Sequence, residues 1–358
     1  MGMTDQKLKS KILITGHRGY IGSVLLPYLK SNHADKYNLI GCDNEFFIDN
    51  LTAPSDWQET LIPQLNVHDI RDIKVEDLKG VDAIIHLAAV SNDPIGNLFG
   101  DATVSINKEG TVRLAKLAKS AGVKTFVLAS SCSVYGAGGD EIVDENGKIA
   151  PLTTYAKSKI ESEGALQGLA SSSFQVTCLR FGTACGYSPR TRLDLVVNDF
   201  VASALSTQEI YLLSAGNAWR PFIHVEDMCR AMTWALSRTG KNIEIVNVGS
   251  DEMTLKIKDL AHLSARIIAG TQVKFANDAS PDNRTYRVSF ERFKRLAPEF
   301  QPHWSMADVI GDLHSNLSKL NQSYDNFRGG NLMRLNQLNV LLEKKVISKN
   351  LIRQDKLA

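Results

Sequence analysis

Tyr155 and Lys159 are spaced Tyr-x-x-x-Lys. On a helix this spacing puts both side chains on one face, one turn apart. An ammonium beside a phenol stabilises phenolate and lowers a pKa that starts near ~10. Such a tyrosine can shuttle a proton near neutral pH. Two further features precede the pair: a glycine-rich stretch at 15–22 and a serine-rich stretch at 130–133. The pair alone is a weak signal, and the three together are hard to explain as accident.

The glycine-rich stretch is Thr15-Gly16-His17-Arg18-Gly19-Tyr20-Ile21-Gly22. It follows an apolar run and opens an amphipathic one, as a strand–turn–helix does. Glycines there permit a tight turn, close approach of backbone to a pyrophosphate, and close helix–strand packing. The helix N-terminus adds free N–H groups and a positive dipole end. Asp43 ends the next apolar run, 21 residues past Gly22, where an acid binds an adenosine ribose. A carboxylate at that place favours NAD over NADP. Arg18 could meet a 2′-phosphate, but is read here as a solvated loop charge.

The positioning elements are legible as short apolar runs alternating with amphipathic stretches, the pattern of βαβ units around a parallel sheet. Strands are expected at 11–15, 37–43, 64–68, 82–89, 124–130, 174–181 and 244–249. Helices are expected at 20–30, 103–121 and 154–170, the last carrying Tyr155 and Lys159. Past residue 182 segments shorten and prolines intervene, which reads as a smaller α/β lobe. Leucines at 332, 335, 338, 341 and 342 suit a docking helix, in a run too short to favour a coiled coil. The chain has 358 residues, with 41 Lys+Arg against 39 Asp+Glu and no block of like charge. Nucleic acid and anionic membrane are therefore not expected partners. The 5 cysteines are scattered without C-x-x-C, and the histidines lack metal-ligand spacing. The first residues have no apolar core of a leader and no 18-residue apolar run follows. A cytoplasmic setting is expected, with no metal.

The motifs together resemble the extended branch of the short-chain dehydrogenase/reductase superfamily, the nucleotide-sugar epimerase/dehydratase family. The resemblance runs from Lys11 to about Leu296. It rests on the glycine loop, Asp69-Ile70-Arg71-Asp72, His86-Leu87-Ala88-Ala89, Asn107, Ser130-Ser131-Cys132-Ser133-Val134-Tyr135-Gly136, Tyr155 with Lys159, Leu179-Arg180-Phe181, and Arg220-Pro221-Phe222-Ile223-His224-Val225-Glu226-Asp227. It implies an α/β fold: a doubly wound Rossmann-type parallel sheet with a smaller α/β substrate-binding lobe. The NAD-binding part would span 1–182, with 219–250 returning to it. The nucleotide-sugar lobe would span 183–218 and 251–358. Gly16, Arg18, Gly19, Tyr20, Ile21, Gly22 and Asp43 would hold NAD together with Asp69 and Ile70 at the adenine. Leu87, Ala88, Ala89, Asn107 and Ser130 would border the cofactor. Ser131 would bond the reacting sugar hydroxyl, Tyr155 would move its proton, and Lys159 would hold the nicotinamide ribose. Arg220, and with weaker support Arg284, would bind the substrate diphosphate, with Asn198 near the nucleotide. The null alternative for either arginine is a surface cation; a diphosphate must be neutralised, which Arg does bidentately.

Dehydratases of that family carry Asp-Glu just after the strand-end Ser/Thr, and here those positions are Cys132 and Ser133. Serine is a poor base toward carbon. Cys132 could serve as an acid in an unusual elimination, though a thiol packed behind the serine is the simpler account. What remains needs Tyr, Ser and NAD, and serves a 4-epimerase, a 4-dehydrogenase or a 4-ketoreductase acting on a nucleotide-diphosphate sugar. Epimerisation is favoured. A non-catalytic nucleotide-binding protein would be marked by loss of Tyr or Lys, and both are present. A homodimer through the helices at 103–121 and 154–170 is expected, with Val112 and Leu166 as contact candidates whose apolar character fits the monomer core equally well.

Overall fold

The computed structural model describes residues 9–53, 56–280, 284–320, 330 and 332–354. Its centre is a sheet of six parallel strands: β1 (Ser10–Thr15), β2 (Tyr37–Cys42), β3 (Ala83–His86), β4 (Thr125–Ser131), β6 (Gln175–Phe181) and β10 (Ile243–Val248). The spatial order is β10-β6-β4-β3-β1-β2. These strands are nearly continuous apolar runs because both sheet faces are covered. One face packs Leu13, Ile84, Phe126, Leu128 and Val176 under helices; the other packs Ile12, Ile14, Ile85, Val127 and Leu179. The order reverses beside β1 and β3, so their C-terminal ends open on a crevice where open α/β sheets bind ligands.

The first covering face carries α2 (Asp93–Leu98), α3 (Gly100–Thr103), a π-helical stretch at Val104–Gly110, α4 (Thr111–Ser120) and α5 (Thr154–Leu169). The second carries α1 (Gly22–His33) and α7 (Val225–Ser237), which pack together. A two-residue strand, β5 (Ile142–Val143), lies between β4 and α5 and pairs with β13 (Arg287–Val288).

The second lobe holds β7 (Thr183–Cys185), α6 (Val196–Thr207), β8 (Glu209–Ser214), β9 (Trp219–His224), β11 (Thr254–Lys256), α8 (Ile257–Ile267), β12 (Gln272–Ser280), α9 (Glu291–Leu296) and α10 (Met306–Leu317). Of these, α6, α8 and α10 share an apolar cluster with Phe222 at its centre, whereas α9 lies against β10. β9 pairs with β7 and β11 in a separate three-stranded sheet. The return to the main sheet, expected from residue 219, thus begins with α7 and is completed by β10.

Three other expectations are corrected. The stretch 64–68 is no strand: Gln64 makes one isolated bridge to Gly41 beyond the sheet edge, and of its apolar residues only Leu65 is buried. Leu166 is fully buried in the first core cluster and is unavailable to a partner. The C-terminal helix α11 (Arg334–Glu343) does dock, as its leucines suggest. Leu335, Leu338, Leu341 and Leu342 pack on the core of the main sheet, while Leu332, ahead of the helix, packs on the apolar cluster of α6, α8 and α10.

Candidate active site

Two adjoining cavities lie at the C-terminal ends of the strands, about 180 and 480 Å³ in volume. Ile21, Leu87, Ala89, Ser91, Ala184 and Arg192 border both.

The smaller cavity is walled by the loop between β1 and α1. Gly16 has φ +71°, and a Cβ there would stand 2.8 Å from the backbone nitrogen of Ala88. At Gly22 a Cβ would fall 2.3 Å from the His17 carbonyl oxygen. Neither position tolerates a side chain, so the loop is a bare-backbone cradle at the start of α1, as a pyrophosphate requires. Gly19, Tyr20, Ile21, Asp43, Asp69, Ile70, Leu87, Ala88 and Ala89 line the same space. The cradle, the apolar walls and a carboxylate at the end of β2 fit a dinucleotide.

Asp43 accepts from the backbone N–H of Arg18 at 2.9 Å and of Glu45 at 2.8 Å. This fixes the carboxylate at the cavity edge. Arg18 is not a solvated charge: its guanidinium is ion-paired to Glu45 and, at 2.8 Å, to Glu59. Those bonds raise its pKa against the effect of burial. A 2′-phosphate would thus meet three carboxylates and an arginine already engaged. We expect NADP(H) to bind on the order of 10²-fold more weakly than NAD(H), or worse, because like charges are brought together. Titration of both reduced cofactors by fluorescence checks this; comparable affinities would contradict the reading of Asp43.

The larger cavity contains Ser130, Ser131, Ser133, Tyr155, Lys159, Arg220 and Arg284. Thr153 caps α5 by accepting from the Ala156 N–H at 3.1 Å, and the helix then projects Tyr155 and Lys159 inward. Ser131, at the end of β4, lies beside the Tyr155 hydroxyl and accepts from the Ser133 N–H at 3.1 Å. Lys159 donates to the Ala129 carbonyl at 2.8 Å, with its nitrogen 5.8 Å from the Tyr155 ring centre. Burial raises Tyr155 to about 12, opposed by the Ser131 hydrogen bond and the Arg192 charge. Burial lowers Lys159 to about 8, opposed by Glu163. The expected lowering of the tyrosine by the lysine is therefore not what the geometry gives. The lysine is turned to a carbonyl, and the groups that favour phenolate are Ser131 and Arg192.

Four sequence candidates lie outside the cavities: Gly22, at the start of α1, and three others. Asn107, in the π-helical stretch, accepts from the Val90 N–H and donates to the Val90 carbonyl, both at 2.8 Å. It clamps the loop after β3 and does not face the cofactor space. Cys132 is fully buried and donates to the Arg180 carbonyl at 3.1 Å. Burial pushes its thiol well up, so it is a packing residue behind Ser131. Asn198 is fully buried, accepting from the Gly186 N–H at 3.1 Å and donating to the Arg192 carbonyl at 3.0 Å. It shapes the loop between β7 and α6.

Other residues were missed. Glu163 takes three bonds from the Arg180 guanidinium, the shortest at 2.7 Å, and one from the Ser130 hydroxyl. Arg180 also donates to Tyr135 at 2.8 Å, and Tyr135 to Asn247 at 2.8 Å. This buried network ties β4, α5, β6 and β10 together behind the serines. Removing one partner of such a pair costs about 3–5 kcal/mol. Glu163 follows Lys159 by four residues, so helical spacing could have found it. Arg192 and Asp194 form a second buried pair at 2.8 Å where the cavities meet. Burial would raise Asp194, but Arg192 holds it below the usual carboxylate range.

Residues 12–249 match the NAD dependent epimerase/dehydratase family. The chain belongs to that family. It is 27% identical over 326 residues to an uncharacterized UDP-glucose epimerase of Bacillus subtilis, covering 87% of this chain and 99% of the relative. It is 30% identical over 314 residues to a putative UDP-glucose 4-epimerase of Methanocaldococcus jannaschii, covering 84% and 95%. A UDP-glucuronic acid 4-epimerase structure from Bacillus cereus, with UDP-glucuronic acid and NAD, superposes with a TM-score of 0.73. It is 23% identical over 86% of this chain and 99% of that one, a likeness of fold. The chain is thus an enzyme of an NAD-dependent family, with its Rossmann-type sheet in place. No helix among the described residues is long and apolar enough to cross a membrane.

Proposed function

We propose that this enzyme epimerises a nucleoside-diphosphate hexose at C4, by oxidation to the 4-keto sugar and re-reduction on the opposite face. One observation carries the choice within the family. Among the described residues, the carboxylates that line the larger cavity are Asp93 and Asp194, and each faces an arginine: Arg284 at 3.0 Å and Arg192 at 2.8 Å. The two positions that follow Ser131 hold a buried thiol and Ser133, so no carboxylate stands there to take a C5 proton.

Bound NAD supplies hydride acceptance and return at the sugar carbon. Tyr155, through Ser131, removes the proton of the C4 hydroxyl and restores it to the product. Lys159 holds the cofactor ribose beside them. Arg220, whose guanidinium lies 5.3 Å over the Tyr286 ring, anchors the diphosphate while the keto sugar turns. Arg284 is exposed and already paired to Asp93, so its part in binding is the smaller. The names of the relatives make UDP-hexoses the first substrates to try. A homodimer through the helices at 103–121 and 154–170 belongs to the same reading, with the half-buried Val112 in place of Leu166.

The test is turnover of UDP-glucose, UDP-glucuronic acid and dTDP-glucose in deuterated water, followed by NMR. A 4-epimer should form without net NADH and without deuterium at C5. Rapid C5 exchange or loss of water would mean a dehydratase or 5-epimerase. Stoichiometric NADH would mean a dehydrogenase.

A further inference from the structure

The segment from Arg334 to Leu351 reaches back over the smaller cavity. Arg334, Leu338 and Leu351 line it together with Gly16, Asp43 and Ile70. The segment is stitched to the cavity rim. Gln337 donates to the Phe46 carbonyl at 3.2 Å and Arg353 to the Asn44 carbonyl at 3.1 Å. Arg71 donates to the Leu351 carbonyl at 2.7 Å.

Three arginines line this cavity. Arg18 is paired to Glu45 and Glu59, and Arg192 to Asp194. Arg334 differs: among the described residues no carboxylate pairs with it. It is 4% exposed. Its Nη2 donates to the Arg190 carbonyl at 3.1 Å and its guanidinium lies 4.3 Å over the Phe47 ring. Its Nη1 is buried with no hydrogen-bond partner. Burial and the neighbouring Arg192 charge hold its pKa down to about 9, while Asp194 and Asp43 resist. A buried cation without a counter-ion is costly, and a fork of donors toward a diphosphate is what arginine binds best.

We propose that the Arg334–Leu351 segment is a built wall of the dinucleotide site, with Arg334 as a cofactor-binding residue that neutralises the pyrophosphate across from the glycine loop. The inference rests on the family's NAD and not on the choice of sugar reaction, and its test reads binding and not turnover.

The test compares NAD, ADP-ribose and adenosine by calorimetry on the wild type, Arg334→Gln and Arg334→Lys. Arg334→Gln should weaken NAD and ADP-ribose about 10- to 100-fold and leave adenosine unchanged. Arg334→Lys should fall between, since it keeps charge and loses the fork. Unchanged ADP-ribose affinity would overturn the proposal. So would equal weakening of adenosine, which would mean general collapse of the wall. Should Arg334→Gln not fold, hydrogen exchange of the wild type decides. Amides of 334–343 should be protected more by ADP-ribose than by adenosine; equal protection by the two would overturn the proposal.

Discussion

Tyr155→Phe should lower turnover by at least ~10²–10⁴-fold, the range a positioned acid–base group contributes. The ring, its packing and the α5 backbone are retained, so folding and NAD binding should be unchanged. The substitution removes the phenolic hydroxyl beside Ser131, the group placed to exchange the proton of a sugar hydroxyl. Ser131→Ala should cost less, because that serine orients the proton path. The decisive comparison is turnover at matched NAD occupancy. Near-normal rates in the phenylalanine variant would transfer the proton role to another group. Cys132 is a poor heir, since its thiol is buried and bonded to the Arg180 carbonyl.

Lys159→Met should be comparably severe for turnover and should also weaken cofactor retention. Its effect on folding should have the opposite sign. Lys159 has a folded pKa near 8, below the ordinary 10.5. The unfolded chain therefore holds more protons than the folded one between these values, and wild-type stability rises with pH across that window. Below about pH 8 the folded protein carries the full penalty of a buried ammonium. Methionine has no charge to bury, so the cofactor-free variant should melt at or above the wild type at pH 7. That difference should shrink toward pH 10.5. A methionine variant that melts well below wild type at pH 7 would show the Lys159–Ala129 bond to outweigh the buried charge.

The sheet was legible because strands buried on both faces read as nearly unbroken apolar runs, as 83–85 in β3 and 126–129 in β4 do. The stretch 64–68 misled because Leu65 and Val67 alternate as in a strand, although the chain there runs beyond the sheet edge with one bridge. The cradle and the Tyr155–Lys159 face were legible because each depends on neighbours in sequence. Asn107 and Asn198 carried a motif's position but not its direction. A π-helical stretch turns one toward Val90, and a loop consumes both ends of the other. Arg334 had no signal at all. Its meaning comes from a cavity whose walls outside its own segment lie more than 140 residues away, Arg192 being the nearest of them in sequence.

Arg18 and its two glutamates also bear on how this enzyme could change its coenzyme. A switch to NADP is usually imagined as removal of one acid at the ribose. Here replacing Asp43 alone would leave the guanidinium committed to Glu45 and Glu59, so no cation would be released to receive the phosphate. Removing one glutamate alone would leave the other, and Asp43 with it. The preference is thus protected against single substitutions, and drift between coenzymes would have to cross intermediates that hold neither one well.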